Sequence, residues 1–194
     1  MMLKLAITNL SSYTNGVLYF EWLDLDENTE NETIQSCIDR VLKKGDELSG
    51  LLDSEEVFIS DAEWDEEEIF SVQEYSDIYT LRDKIILLAE LEPYQQRSVK
   101  FLLDFGIVNH LSEAIEKADE VVYYENSTMK EVAEDWLEQC YDLDSMPTII
   151  TSNIDYDSVA YELSISSEYF EVGNDVFQYF GWSYIFDVVN TITR

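Results

Sequence analysis

Apolar positions change period along the chain, and each change predicts an element. Leu3, Leu5 and Ile7 alternate with Lys4, Ala6 and Thr8, the two-residue period of a half-buried strand. Asn15-Gly16 supplies turn chemistry and residues 17–23 read as a second strand, which predicts a hairpin. Ile34, Cys37, Ile38, Val41 and Leu42 mark one helix face that Gly45 is placed to terminate, and residues 56–60 suit a third strand. The opening segment is thus a three-stranded antiparallel sheet with a helix, ending near Asp61.

A charged connection, residues 61–68, follows. From about Ser76 the period becomes helical through Ile78, Leu81, Ile85 and Leu88, and Pro93 restarts a second helix through Val99, Leu102 and Leu103 to a stop at Gly106. Residues 111–118 fit a short third helix and residues 119–124 a strand. In residues 128–140, Met129, Val132, Ala133, Trp136, Leu137 and Cys140 recur at the spacing of a buried helix face, and Thr128 with Glu131 has the form of a capping box. A loop through Pro147 leads to a helix from Asp155 to Leu163, then to a hairpin of residues 169–172 and 176–180 around Gly173-Asn174-Asp175. Residues 183–194 are apolar enough to pack, without a pattern that says where. The predicted class is α+β, an array of three small subdomains: 1–61 (sheet plus helix), 62–108 (helical) and 109–194 (three-stranded sheet plus helices).

Charge changes this picture most. The 194 residues carry 42 acids against 11 Lys and Arg, a formal net charge of -31. Self-repulsion of this size opposes any compact state, and it makes nucleic acid a poor direct ligand and a basic surface a good one. Residues 45–81 and 131–193 each hold 13 acids and no Lys, Arg or His. These stretches also hold Trp64, Trp136 and Trp182, whereas acidic disordered tails are poor in aromatics, so the acid decorates folded structure. At one charge per about 1.7 Å of duplex, 31 charges match about 53 Å of DNA. A compact globule of this length has a radius of gyration near 16 Å and a diameter near 40 Å. Carrying that charge at duplex density therefore calls for an elongated molecule, which three subdomains in a row would supply.

The sharpest local feature is the polar face of residues 128–140. Glu131, Glu134, Asp135 and Glu138 run up one side at helical spacing with Lys130 as the one base nearby. Like charges at that spacing cost a helix roughly 0.2–0.5 kcal/mol per pair. The acids fall about 3.5 Å apart along the axis, against about 3.4 Å per phosphate on one DNA strand. Asp61, Glu63, Asp65, Glu66, Glu67 and Glu68 form the second dense run.

Chemistry of other kinds finds little purchase. Asp24, Asp26 and Asn28 begin a calcium loop, but Thr29 and Gln35 stand where its glycine and closing glutamate belong; Asn153, Asp155 and Asp157 fail in the same way at Ser158 and Ser164. His110 is the single histidine and reads as a loop or cap residue, Cys37 and Cys140 as apolar-face thiols. No phosphate-binding loop, dinucleotide fingerprint or metalloprotease motif is present, and no run of about 18 apolar residues exists to cross a bilayer. The expectation is a cytoplasmic, non-enzymatic protein without metal or cofactor.

Several motifs, in order, resemble one family. Ile7-Thr-Asn-Leu-Ser-Ser-Tyr-Thr-Asn-Gly-Val-Leu-Tyr-Phe-Glu-Trp22 resembles the amino-terminal Asn-Leu-x-x-Tyr-x-x-Gly-x-Leu and following Trp of the ArdA antirestriction proteins carried by mobile elements. Glu55-Glu-Val-Phe-Ile-Ser-Asp-Ala-Glu63 is similar to that family's Glu-Glu-x-x-Ile-x-Asp-x-Glu strand, and Asn153-Ile-Asp-Tyr-Asp-Ser-Val-Ala-Tyr-Glu-Leu163 to its Tyr-Ile-Asp-Tyr-x-Ala helix. Residues 129–141 fall at the family's antirestriction motif. The resemblance implies an elongated three-domain homodimer, paired through its carboxy-terminal domain, that mimics bent B-DNA in the DNA-binding groove of type I restriction-modification enzymes. The ten acids of the two runs would then stand in for phosphates. Tyr161-Glu162 replaces the family's usual Arg-Asp, Ser60 stands where a His is common, and residues 183–194 extend past the usual end. The rival function is an acidic immunity or inhibitor protein for a single basic nuclease or toxin.

Overall fold

The alternation of Leu3, Leu5 and Ile7 places the first strand, β1 (Leu3–Asn9), at the centre of a three-stranded sheet. Its neighbours are β2 (Phe20–Leu25) and β3 (Val57–Trp64), both antiparallel to it, in the order β2-β1-β3. The structure is a computed structural model that describes residues 1–181, so the expectation for residues 183–194 lies outside the described residues.

Three sequence expectations for this sheet change. The first two strands are not joined by a two-residue turn at Asn15-Gly16. Asn9 caps a short helix, α1 (Leu10–Thr14), by accepting from the Ser12 N–H at 3.0 Å, Gly16 follows at φ +79°, and β2 starts at Phe20 rather than Val17. Gly45 does not end the following helix. α2 (Asn31–Ser49) runs on to Gly50, whose left-handed φ of +71° supplies the cap. Gly45 instead lies against the Asn9 side chain, where a Cβ would sit 2.7–2.9 Å from three of its atoms. Finally, β3 continues through Asp61, Ala62, Glu63 and Trp64, so half of the expected connection is strand.

One side of the sheet is dry. Leu3, Leu5, Ile7, Leu23, Leu25 and Ile59 pack against Ile34, Cys37 and Val41 of α2 and against Ile78, Leu81 and Ile85 of α3 (Ile78–Ala89). Asp77 caps α3 by accepting from the Thr80 N–H at 2.7 Å. The chain groups into two compact units, Met1–Gln96 and Arg97–Arg194, with the cut inside α4 (Pro93–Asp104). The helical segment 62–108 is thereby shared between the two.

In the second unit, Phe101 stacks on Phe177 at 4.6 Å between centroids and meets Phe170 edge-on. α5 (Leu111–Lys117) starts after His110, its N-cap, and a single 3-10 turn leads into β4 (Val121–Tyr124). Next comes α6 (Met129–Cys140); the expected loop beyond it holds a 3-10 turn and one short helix, α7 (Thr148–Thr151). α8 (Tyr156–Ser164) precedes the hairpin of β5 (Tyr169–Val172) and β6 (Asp175–Tyr179), in which Gly173 takes φ +63°. The sheet is antiparallel in the order β4-β6-β5, the three-stranded sheet expected. Met129, Val132 and Ala133 of α6 meet Ala160, Tyr169 and Val176 in its core. The architecture is α+β, two three-stranded antiparallel sheets with helices. Among the described residues no helix is long and apolar enough to cross a membrane.

Candidate acidic partner-binding surfaces

A strand shows its side chains to alternate faces, so Ile59, Asp61 and Glu63 would share one face of an unbroken β3. Ile59 is in the core. The pairing avoids burying the two acids by slipping one residue: Ile7 faces Ile59 but Ala6 faces Asp61, which leaves Ser60 as the extra residue of a bulge. Beyond it the parity is reversed, so Ala62 and Trp64 turn to the core while Asp61 and Glu63 are exposed. Ser60 fastens the bulge through its hydroxyl, which donates to the Ala6 carbonyl at 3.2 Å and shares a 2.8 Å hydrogen bond with Thr8.

Register then assembles a row that spacing does not reveal. Lys4 on the central strand stands opposite Glu63 on one side and Asp24 on the other, so two acids flank one base across the outer face. Residues 65–68 carry the acid on from the end of β3. Asp65 is pinned to the chain start: its carboxylate accepts from the Met2 N–H at 2.7 Å and its own N–H donates to the Met2 carbonyl at 3.1 Å. After Glu66, Glu67 and Glu68, all exposed, the chain is anchored again by buried Ile69 and by Phe70, which meets Trp64 edge-on at 4.9 Å. The run is a short exposed loop tied at both ends.

In the second unit the capping box of α6 is complete. Glu131 accepts from both the Thr128 N–H and hydroxyl at 2.8 Å, and the Thr128 hydroxyl accepts from the Glu131 N–H at 3.3 Å. The backbone hydrogen bond from Thr128, and after it the hydroxyl, hold the Glu131 carboxyl below its ordinary value. Glu131 and Glu138 are exposed; Glu134 and Asp135 lie half-buried on the flanks of the stripe. Asp135 accepts from the Gln139 amide at 2.6 Å. Lys130, the base beside the stripe, reaches across to Asp157 of α8 at 3.0 Å, and that bond, with Glu134 and Asp155 nearby, raises its pKa. Asp155 caps α8 by accepting from the Ser158 N–H at 3.1 Å and also accepts from the Ser158 hydroxyl at 2.8 Å; the hydroxyl first and then the backbone bond lower its pKa.

The ten expected residues thus fall into two surfaces, one in each unit. Asp61, Glu63 and residues 65–68 are gathered at one end of β3, and Glu131, Glu134, Asp135 and Glu138 share one face of α6. Asp24, Asp155 and Asp157 join these surfaces through strand register and helix pairing, which spacing along the sequence does not reveal. The apolar face of α6 is shorter than its periodicity suggests: Trp136 and Leu137 are half-buried and Cys140 is exposed, since the sheet and α8 cover only its first two turns. Among the described residues no group of three or more His, Cys, Asp or Glu converges to hold a metal ion.

No curated protein matches the chain. The model of the antirestriction protein (ArdA) family matches residues 6–178, which takes in both acidic surfaces and both sheets. The chain belongs to the ArdA family of antirestriction proteins.

Proposed function

We propose that this protein is a DNA mimic that blocks restriction by occupying the DNA-binding groove of a type I restriction-modification enzyme in the cytoplasm. It works by binding, without catalysis. The observation that carries this is the bulge at Ser60, which turns Asp61 and Glu63 out of the core and joins them to the anchored acids of residues 65–68. Acids placed by a sheet and a capped helix are held as a fixed pattern, as phosphates are on a duplex. The second surface adds Glu131, Glu134, Asp135 and Glu138, a stripe about 10 Å long at helical rise. Each of these ten carboxylates stands in for a phosphate. The working form is a homodimer paired through the second unit, where Ile149, Ile150, Tyr161 and Ile165 are exposed.

Competition with DNA tests this. The protein should displace a DNA duplex from a type I methyltransferase core, and the competition should weaken steeply as salt rises. Changing Glu131, Glu134, Asp135 and Glu138 together to Gln should weaken it roughly tenfold with the fold intact, because Gln still serves the capping box. Unchanged competition removes α6 from the surface. Small-angle scattering from a long curved dimer supports mimicry, whereas a compact monomer supports an inhibitor of a single basic nuclease or toxin.

A further inference from the structure

Beside the acidic stripe, α6 forms one wall of a cavity of about 550 Å³ lined mainly by apolar and aromatic side chains. Tyr124, Trp136, Tyr169 and Phe180 supply aromatic lining, Val122 and Leu163 aliphatic lining, and Asp135 and Glu168 are its two carboxylates. Among the described residues no Lys, Arg or His lines it. The polar groups of its floor are already engaged with one another: the Gln178 amide donates to the Tyr169 hydroxyl at 2.8 Å and accepts from the Tyr124 hydroxyl at 3.3 Å. A neutral polar ligand would find few hydrogen bonds left to make there. A cation on an apolar stem suits every part of it, because aromatic faces attract cations and the carboxylates neutralise them.

We propose that this cavity receives an arginine side chain from the basic surface of the target enzyme, its aliphatic stem on Val122 and Leu163 and its guanidinium between the aromatic rings and the Asp135 and Glu168 carboxylates. Arginine is favoured over lysine because its planar head stacks on rings and pairs with carboxylates two bonds at a time. Burial first, then Tyr124, and after it Glu168, Cys140 and Asp135, push the Tyr169 hydroxyl up to about 12. That the arginine comes from the restriction enzyme rests on the DNA-mimic proposal; the cavity's preference for a guanidinium does not. Asp135 then has a second use besides its place in the stripe, and Glu168 joins the binding surface.

Cys140 provides the readout, since it is exposed and lines the cavity whereas Cys37 is buried. The rate of its alkylation by iodoacetamide, followed by peptide mass mapping, should fall in a saturable way as N-acetyl-arginine amide is added. N-acetyl-norleucine amide at equal concentration should protect little. Replacing Asp135→Asn with Glu168→Gln should raise the half-protecting arginine concentration roughly tenfold, while Glu162→Gln, exposed on α8, should leave it unchanged. Equal protection by the neutral probe, or none by either, overturns the site. In the competition assay Glu168→Gln should weaken displacement of DNA more than Glu162→Gln does; equal effects would overturn the cavity's part in binding and leave mimicry standing. If the unaltered protein does not compete with DNA at all, the mimicry proposal falls, and protection of Cys140 still decides the cavity.

Discussion

Asn9 shows how much one side chain can fix. It is buried, caps α1 by accepting from the Ser12 N–H, and donates at 3.1 Å both to the Leu42 carbonyl and to the Asp46 carboxylate of α2. Hydrogen bonds from Ser54, side chain first and then backbone, and after them the one from Asn9, hold the Asp46 carboxyl below its ordinary value. The Asn9 side chain reaches α2 because Gly45 has no Cβ to block it. Gly45→Ala should therefore destabilise the protein by about 1–3 kcal/mol, the usual penalty for forcing atoms into a packed site, even though Ala in a helix interior is worth about 1 kcal/mol over Gly. A lowered urea midpoint with an unchanged slope would show it. Shortening the obstruction with Asn9→Ala in the same chain should make the double variant less unstable than the two single losses added together, because the sites touch.

Elements carry the acids by two local devices. In β3 it is the bulge. Deleting Ser60 would remove the extra residue and leave Ile59 opposite Ile7 and Asp61 opposite Ala6 in one regular ladder, so Asp61 and Glu63 would keep the outer face without the bulge. The first sheet should still form, with its strand signal in circular dichroism and its resistance to proteolysis retained, and loss of either would mean that Ser60 is not the extra residue. Ser60→Ala, which keeps the extra residue and loses only the hydroxyl's bonds to Ala6 and Thr8, should cost about 1–2 kcal/mol and remain folded. In α6 the device is the capping box. Glu131 has a depressed carboxyl pKa, so its contribution is present above the ordinary value of 4.5 and is lost as pH falls through the folded value. Thr128→Ala removes the hydroxyl, the lesser of its two partners, together with an N-cap worth about 1 kcal/mol, and leaves the backbone N–H of residue 128 in place. The gap in melting temperature between the two proteins should be full at neutral pH and narrow below the ordinary carboxyl value. A gap that stays constant on acidification would mean that the hydroxyl's bond to Glu131 adds nothing.

The whole molecule is governed by a net charge of -31, and salt should act on it in opposite directions in two assays. The ion pairs described are few and lie mostly at the surface, among them Arg40 with Glu21 and Lys100 with Asp104, where such pairs are worth about 0–1 kcal/mol. They do not offset the repulsion among 42 acids. Raising salt from about 0.01 M to 1 M shortens the screening length from about 30 Å to about 3 Å. The melting temperature should rise over that range while competition with DNA for a target enzyme weakens. A protein that melted at the same temperature throughout would not be limited by self-repulsion.

Much was legible in the chain because it depends on neighbours in sequence. The two-residue period of Leu3, Leu5 and Ile7, the helical period of residues 78–88, the Thr128 and Glu131 cap and the segregation of acids from bases are local patterns, and the family match rests on motifs of the same kind. Tertiary structure decided what lies across from each pattern. The face to which Asp61 and Glu63 turn depends on a register slip against Ala6 and Ile7, which no window of β3 contains. Gly45 looks like a helix stop until Asn9, 36 residues earlier, comes to lie against it. Cys140 fits an apolar stripe, yet it is exposed because, among the described residues, the core packed on α6 ends at Ala133. The periodicity of a strand or helix determines which residues share a face; only the packing partner determines which face is buried and where its burial stops.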